Sequence, residues 1–98
     1  MKREFFLGFI KVHILHHAAE APVYGAWLMA ELAEHGYRLS PGTLYPILHG
    51  LEDEGLLGHR ERTVAGKRRK YYHATARGRR ALAEAKRAIR ELVDEVLD

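Results

Sequence analysis

From Phe5 to His17 apolar residues return every three or four positions, and that spacing predicts a helix over 4–18. Phe6, Phe9, Ile10, His13, Ile14 and His17 form the repeating set, while Phe5, Val12 and Leu15 widen it beyond a single stripe. A helix apolar over so much of its circumference has to bury more than one side. Glu20-Ala21-Pro22 then breaks the pattern, because Pro22 disfavours helical geometry at Ala21. A shorter helix is predicted from Tyr24 to Glu34 and ends at His35-Gly36, with the glycine placed for a left-handed cap. Ser40-Pro41 starts a third helix, serine as N-cap and proline at the first helical position. Leu44, Ile47, Leu48 and Leu51 supply its inward face, and Gly55 ends it. Pro46 lies inside and deletes one backbone hydrogen bond, which predicts an irregular or slightly kinked first turn.

Beyond Leu56 the period shortens. Leu57–Thr63 and Arg69–Thr75 suit strands, and Val64-Ala65-Gly66-Lys67 between them suits a turn, so the pair predicts a β-hairpin. Helical spacing returns over 77–97, where Leu82, Ala85, Ile89, Leu92 and Val96 step by 3, 4, 3 and 4. That is the seam of a coiled coil, broadened by Val93 and Leu97, and about three heptads is short for one standing alone. Leu82, Ile89, Leu92, Val93 and Val96, with Phe6, Phe9 and Ile10 of the first helix, are therefore the expected contacts with a second copy.

Composition narrows the class. The 98 residues are enough for one domain, and a chain this short gains from burying surface against a partner subunit. No apolar run reaches the roughly 18 residues of a membrane span, and the basic, His-interrupted N-terminus is not signal-like, so a cytoplasmic protein is expected. Cysteine is absent, which excludes disulfides and thiolate metal sites. The sequence has no glycine-rich phosphate loop, no Ser-His-Asp set and no paired catalytic carboxylates. Glu52-Asp53-Glu54 reads as a solvated helix end, and no enzyme and no cofactor is expected.

The net charge of +3 hides a strong asymmetry. Residues 59–80 carry nine basic side chains against Glu61 alone, whereas the flanking segments are net acidic. Such a concentration is what a phosphate-neutralising surface needs.

Two helices joined by a short turn, followed by a basic hairpin, follow the logic of a winged helix-turn-helix. Thr43, Tyr45, Pro46 and His49 would occupy the outer N-terminal face of the second of those helices, behind the Ser40 cap. Lys67, Arg68, Arg69 and Lys70 would run along a nucleic-acid backbone. Three segments resemble the PadR transcriptional regulators: Val23-Tyr24-Gly25, Leu39 to Leu48 (with Gly42-Thr43-Leu44-Tyr45-Pro46), and Leu51 to Leu57. The run Arg68-Arg69-Lys70-Tyr71-Tyr72-His73-Ala74-Thr75-Ala76-Arg77-Gly78 is similar to that family's wing and following helix start. The resemblance covers about residues 23–80 and points to the compact subgroup with a single C-terminal helix.

The resemblance implies a mainly α fold with a small β-hairpin, a winged helix-turn-helix plus a C-terminal dimerisation helix. Residues 1–76 would be the DNA-binding domain and 77–98 the dimerisation helix, together one compact unit. Tyr24, Ser40, Thr43, Tyr45, Pro46, His49 and Lys67–Lys70 would meet DNA. Double-stranded DNA and a second copy are the expected partners, with an unidentified small-molecule effector admitted as a third. Trp27 reads as core or interface. His13 and His17, four apart on one helical face, have a spacing that can chelate a divalent ion. With no Asp, Glu or Cys counted beside them they read as surface or interface residues, and no metal is expected.

Overall fold

The computed structural model describes residues 1–97. The elements are α1 (Lys2–Glu20), α2 (Gly25–Glu34), α3 (Pro41–Asp53), β1 (Leu57–Val64), β2 (Lys67–Ala74) and α4 (Ala76–Val96). Every predicted element is present in its predicted order. Asp98, the last residue of the expected dimerisation segment, lies outside the described residues.

Both glycine caps form as the sequence predicts. Gly36 and Gly55 take φ values of 88° and 77°, a region that a Cβ disfavours. At each the chain closes a Schellman pair: Tyr37 N donates to Leu32 O and Leu56 N to Leu51 O, both at 2.9 Å. The expected irregularity at Pro46 is not realised as a break, and α3 runs from Pro41 to Asp53 as one helix. Pro46 and Gly42 are both exposed, so the carbonyl that loses its partner is open to water. Ser40 occupies the N-cap position, but its hydroxyl donates to Thr43 Oγ1 at 3.3 Å instead of capping a backbone N–H.

The hairpin is tighter than the four-residue turn expected. Val64 pairs with Lys67, leaving only Ala65 and Gly66 in the turn. Both have positive φ, 52° and 79°, as the type I′ turn that matches strand twist requires. The ladder runs antiparallel from Leu57↔Ala74 to Val64↔Lys67.

The core sits where α1, α2 and α3 meet the base of the hairpin. Ile14, Leu28, Leu32, Leu44, Leu48 and Tyr72 have no exposed surface. Tyr72 also exchanges two backbone hydrogen bonds with Val23, at 2.9 and 2.7 Å, which pins the α1–α2 connection to β2. Ile10 and Leu82, expected at a subunit interface, are instead 5% and 7% exposed within this one chain. Ile10 lies on the side of α1 turned to the α2–α3 connection and Leu82 against α1, both within the protomer's own core, so they are not free to meet a second copy. Trp27, read as core or interface, is 39% exposed at the rim of α2.

A clasp at Thr75 joins the three parts of the chain. Its hydroxyl donates to Gly55 O at 2.6 Å and accepts from Gly78 N at 3.0 Å, while its own N–H donates to Leu56 O at 3.1 Å. A Cβ on Gly78 would collide with the Leu56 carbonyl, so only glycine lets α4 start this close to the end of α3.

Thr75→Ala removes the cap and leaves the Gly55 carbonyl without its donor. It is expected to lower stability by about 1–2 kcal/mol, read from urea unfolding. Tyr72 gives a second check. Its buried hydroxyl has no partner among the described residues, and burial, then Glu52 and Tyr45, pushes its pKa above the ordinary 10.0. The phenol is neutral in both states below pH 10.0, whereas above it the unfolded chain ionises first and stability falls. Tyr72→Phe is therefore expected to fold at least as stably at neutral pH and to lose less stability between about pH 9.5 and 11.

Candidate nucleic-acid interface

The exposed arc of α3 follows from its inward one. Leu44, Leu48 and Leu51 are buried, so the 100° step of the helix turns Gly42, Pro46, His49 and Asp53 to the middle of the opposite side. Tyr45 falls at one edge of that arc and Thr43 at the other.

Tyr45 is held against the start of α2. A Cβ on Gly25 would overlap the hydroxyl end of the Tyr45 phenol, so glycine at that position leaves room for the ring beside the start of α2. The ring keeps 36% of its surface exposed and lies 6.4 Å from the His49 imidazole, centroid to centroid.

The pleat of β2 divides the basic run. Successive side chains point to opposite faces, so Arg68 and Lys70 share a face with the buried Tyr72, while Lys67 and Arg69 share the other with Tyr71. Arg69 lies over the Tyr24 ring at 4.4 Å, and Tyr24 meets Tyr71 edge to face at 5.5 Å. From β1, Arg62 covers Tyr71 at 5.4 Å. Arg69, Tyr24, Tyr71 and Arg62 thus build a ledge in which two contacting tyrosines carry a guanidinium at each end. It orders two long cations that would otherwise sweep through solvent. Arg68 pairs with Glu61 at 2.8 Å, both exposed, a contact of little energetic weight.

A groove of about 410 Å³ lies between α2, α3 and the hairpin, while Arg62 and Tyr71 face a separate depression. Tyr24, Tyr45, His49, Arg68, Arg69 and Lys70 line the groove. Six of the expected contact residues, from three separate segments, therefore share one depression. Thr43 and Pro46 do not; they line a larger depression of about 1130 Å³ on the far side of α3, with Lys2, Arg3 and Lys11 of α1. Ser40 stands at the exposed start of α3 and Lys67 beside the hairpin turn.

Sequence reasoning missed Arg62 and Tyr71 as members of the ledge. The hairpin register places Arg62 opposite Arg69, so pairing the strands residue by residue is the step that would have found them. The basic side chains of the α1 N-terminus were missed because no local pattern links them to α3.

Residues 14–84 match the transcriptional regulator PadR-like family. The chain is 57% identical over 95 residues to the transcriptional regulator Rv3488 of Mycobacterium tuberculosis, covering 97% of this chain and 89% of that protein. Among solved structures it is similar to a PadR-like transcription factor from Bacteroides fragilis. The TM-score there is 0.85 and the identity 29%, over 97% of this chain and 93% of the other. A PadR family transcriptional regulator from Eggerthella lenta gives a TM-score of 0.84 and 36% identity, over 98% and 85% of the two chains.

The Gly25–Tyr45 contact is open to test. Gly25→Ala meets only the far end of the part-exposed Tyr45 side chain, so it is expected to displace that ring at a cost of less than about 1 kcal/mol in urea unfolding, and combining it with Tyr45→Ala should remove the cost through coupling of the two sites.

Proposed function

The chain belongs to the PadR-like family of transcriptional regulators, and from that premise we propose that it is a sequence-specific DNA-binding repressor acting as a homodimer on a pseudo-palindromic operator. The observation that carries the reading is the groove between α3 and the hairpin, where Tyr24, Tyr45 and His49 meet Arg68, Arg69 and Lys70. An α-helix fits the major groove of B-DNA, and the exposed arc of α3 offers planar and hydrogen-bonding groups to base edges. Thr43, Tyr45, Pro46 and His49 are the base-facing candidates, with Ser40 at the leading end. The hairpin acts as the wing. Lys67 and Arg68 at its tip reach phosphates or the neighbouring minor groove, and the stacked Arg69 and Arg62 contribute preordered positive charge.

The second subunit is supported by what α4 leaves uncovered. Its buried residues are Gly78 and Leu82, both in the first third of the helix. Beyond them Ile89, Leu92, Val93 and Val96 are 40%, 58%, 41% and 64% exposed on one seam. A helical stretch of that length has little stability of its own in water, so the seam calls for an apolar partner. Phe5 and Phe9 of α1 stack on each other at 6.3 Å and are also exposed, as is Phe6. We assign these two surfaces to the dimer contact. Residues 1–76 then form the reading head and 77–98 the dimerisation helix, within one compact unit. Two such heads would enter successive major grooves about one helical turn apart. Bound to an operator next to a promoter, the dimer excludes polymerase, and a small-molecule effector that alters the head spacing would relieve it. This places the protein in the cytoplasm and makes it a regulator and not an enzyme. No described helix is long and apolar enough to cross a membrane.

Binding to the DNA upstream of its own gene, followed by fluorescence anisotropy over a salt series, is the direct test. Replacing Arg68, Arg69 and Lys70 together by Ala should abolish measurable binding at moderate salt and, at the lower salt where binding persists, reduce the log–log salt slope by up to about five, because each dimer loses six cations. No specific complex with the parent protein would sink the reading. Leu92→Glu with Val96→Glu should convert a dimer to a monomer in sedimentation velocity. A parent chain that sediments as a stable folded monomer at micromolar concentration would contradict the assigned interface.

A further inference from the structure

The C-terminal end of α1 gathers imidazoles that the DNA-facing surface does not use. His16 Nε2 lies 3.7 Å from Glu20 Oε1, and His17 Nδ1 lies 3.9 Å from the same oxygen. Donor atoms of the three residues all fall within 4.8 Å of one another. Helical spacing produces this: His16 and Glu20 are one turn apart on one face, and His17 stands next to them. The other nitrogen of His17, Nε2, faces Glu31 Oε1 of α2 at 3.6 Å. A single imidazole thus has a carboxylate at each ring nitrogen, from two different helices. Its ring is held edge to face against Trp27 at 5.3 Å.

We propose that His16, His17 and Glu20 form a binding site for a borderline divalent transition-metal ion such as Zn²⁺ or Ni²⁺. His16 Nε2, His17 Nδ1 and a Glu20 carboxylate oxygen are the ligands, and solvent completes the shell. A tetrahedral ion with bonds of about 2.0–2.2 Å keeps its donors about 3.3–3.5 Å apart. The 3.7 and 3.9 Å separations to Glu20, and the His16–His17 separation within 4.8 Å, close to that by side-chain rotation. Two imidazoles and one carboxylate favour Zn²⁺ or Ni²⁺ over Mg²⁺ and Ca²⁺, which prefer shells made of oxygen.

Glu31 is the positioning residue. With Nδ1 on the ion, His17 carries its proton on Nε2 and directs it at the Glu31 carboxylate, which selects the tautomer and raises the basicity of the ligand. Arg79 and Lys86 line the adjacent α1–α4 groove, but the Arg79 guanidinium donates to Ala19 O at 2.9 Å, and Glu20 and Glu31 offset the remaining charge. The site differs from the His13 and His17 pair suggested by spacing alone. Those rings stack at 6.5 Å, and His13 stacks instead on His35 at 4.8 Å. Burial and the neighbouring imidazoles hold the His13 pKa below its ordinary value. Because Glu31 belongs to α2, an ion here would brace α1 against the helix that supports α3. That consequence rests on the regulator reading; the site itself does not.

Trp27 is the one tryptophan in the sequence and touches His17, so its emission reports the site directly. The untagged full chain, titrated with ZnCl2 and separately with NiCl2, should show a saturable change in Trp27 emission, with one ion bound per chain by equilibrium dialysis. MgCl2 should give neither. His16 is half-exposed and Glu20 exposed, so H16A and E20Q should keep the parent circular dichroism while each weakens Zn²⁺ binding tenfold or more. Glu31→Gln should weaken it by about tenfold. Variants H13A and H35A should bind as the parent does. Three results would overturn the site: no saturable binding by the folded parent, unchanged affinity in the H16A/E20Q double variant, or a loss confined to H13A or H35A. None of these readouts uses DNA, so failure here leaves the regulator reading standing, and failure of operator binding leaves the site standing.

Discussion

Thr75 holds in fixed relation the three parts of the chain that have to move as one: the end of α3, the hairpin and the start of α4. Its hydroxyl is shared between Gly55 O and Gly78 N, and its N–H is bound to Leu56 O. Gly55 owes its place to positive φ at the cap, and Gly78 to the missing Cβ that lets α4 touch the Leu56 carbonyl. Two glycines and one threonine therefore set the direction in which α4 leaves the body. If the dimer forms through α4, the same clasp also sets how far apart two copies of α3 stand. A small rotation at Thr75 is magnified along the 52 Å long axis of the molecule.

A second constraint acts on charge. Nine cations in 22 residues repel one another, and the structure spreads them out instead of pairing them. The strand pleat sends alternate members of the 67–70 run to opposite faces. Two guanidinium groups lie on tyrosines, which cost them little hydration and keep the charge available. Among the described residues only Arg68 of these cations takes a carboxylate partner, and that pair is exposed. A surface organised this way keeps its positive potential directed outward, as a polyanion-binding surface must.

Apolar surface shows the complementary pattern. The core is filled by α1, α2, α3 and the base of the hairpin, with Tyr72 and Val23 fastening the sheet to it. The ends of the two longest helices are left over, with Phe5, Phe6 and Phe9 at one and Ile89, Leu92, Val93 and Val96 at the other. Ile10 and Leu82 mark where the core stops and this uncovered surface begins.

Much of this was legible in the order of the residues. Helical and strand periods, the two Gly caps, the Ser-Pro helix start and the basic hairpin are local signals, because each depends on backbone preferences within a few positions. They determined the elements, their order and the segment that carries the positive charge. Contacts between segments were not legible. Nothing near Arg69 in sequence says that its guanidinium lies on Tyr24, 45 positions earlier, and nothing near His17 says that Glu31 waits behind its ring. Nor does a heptad step distinguish Leu82, spent in the protomer's own core, from Leu92, left for another surface. Those outcomes depend on how helices cross, which is set by side-chain packing summed over the whole core and by close backbone approaches such as Gly78 on Leu56. Periodicity tells which face of an element is apolar; only the tertiary structure decides what that face meets.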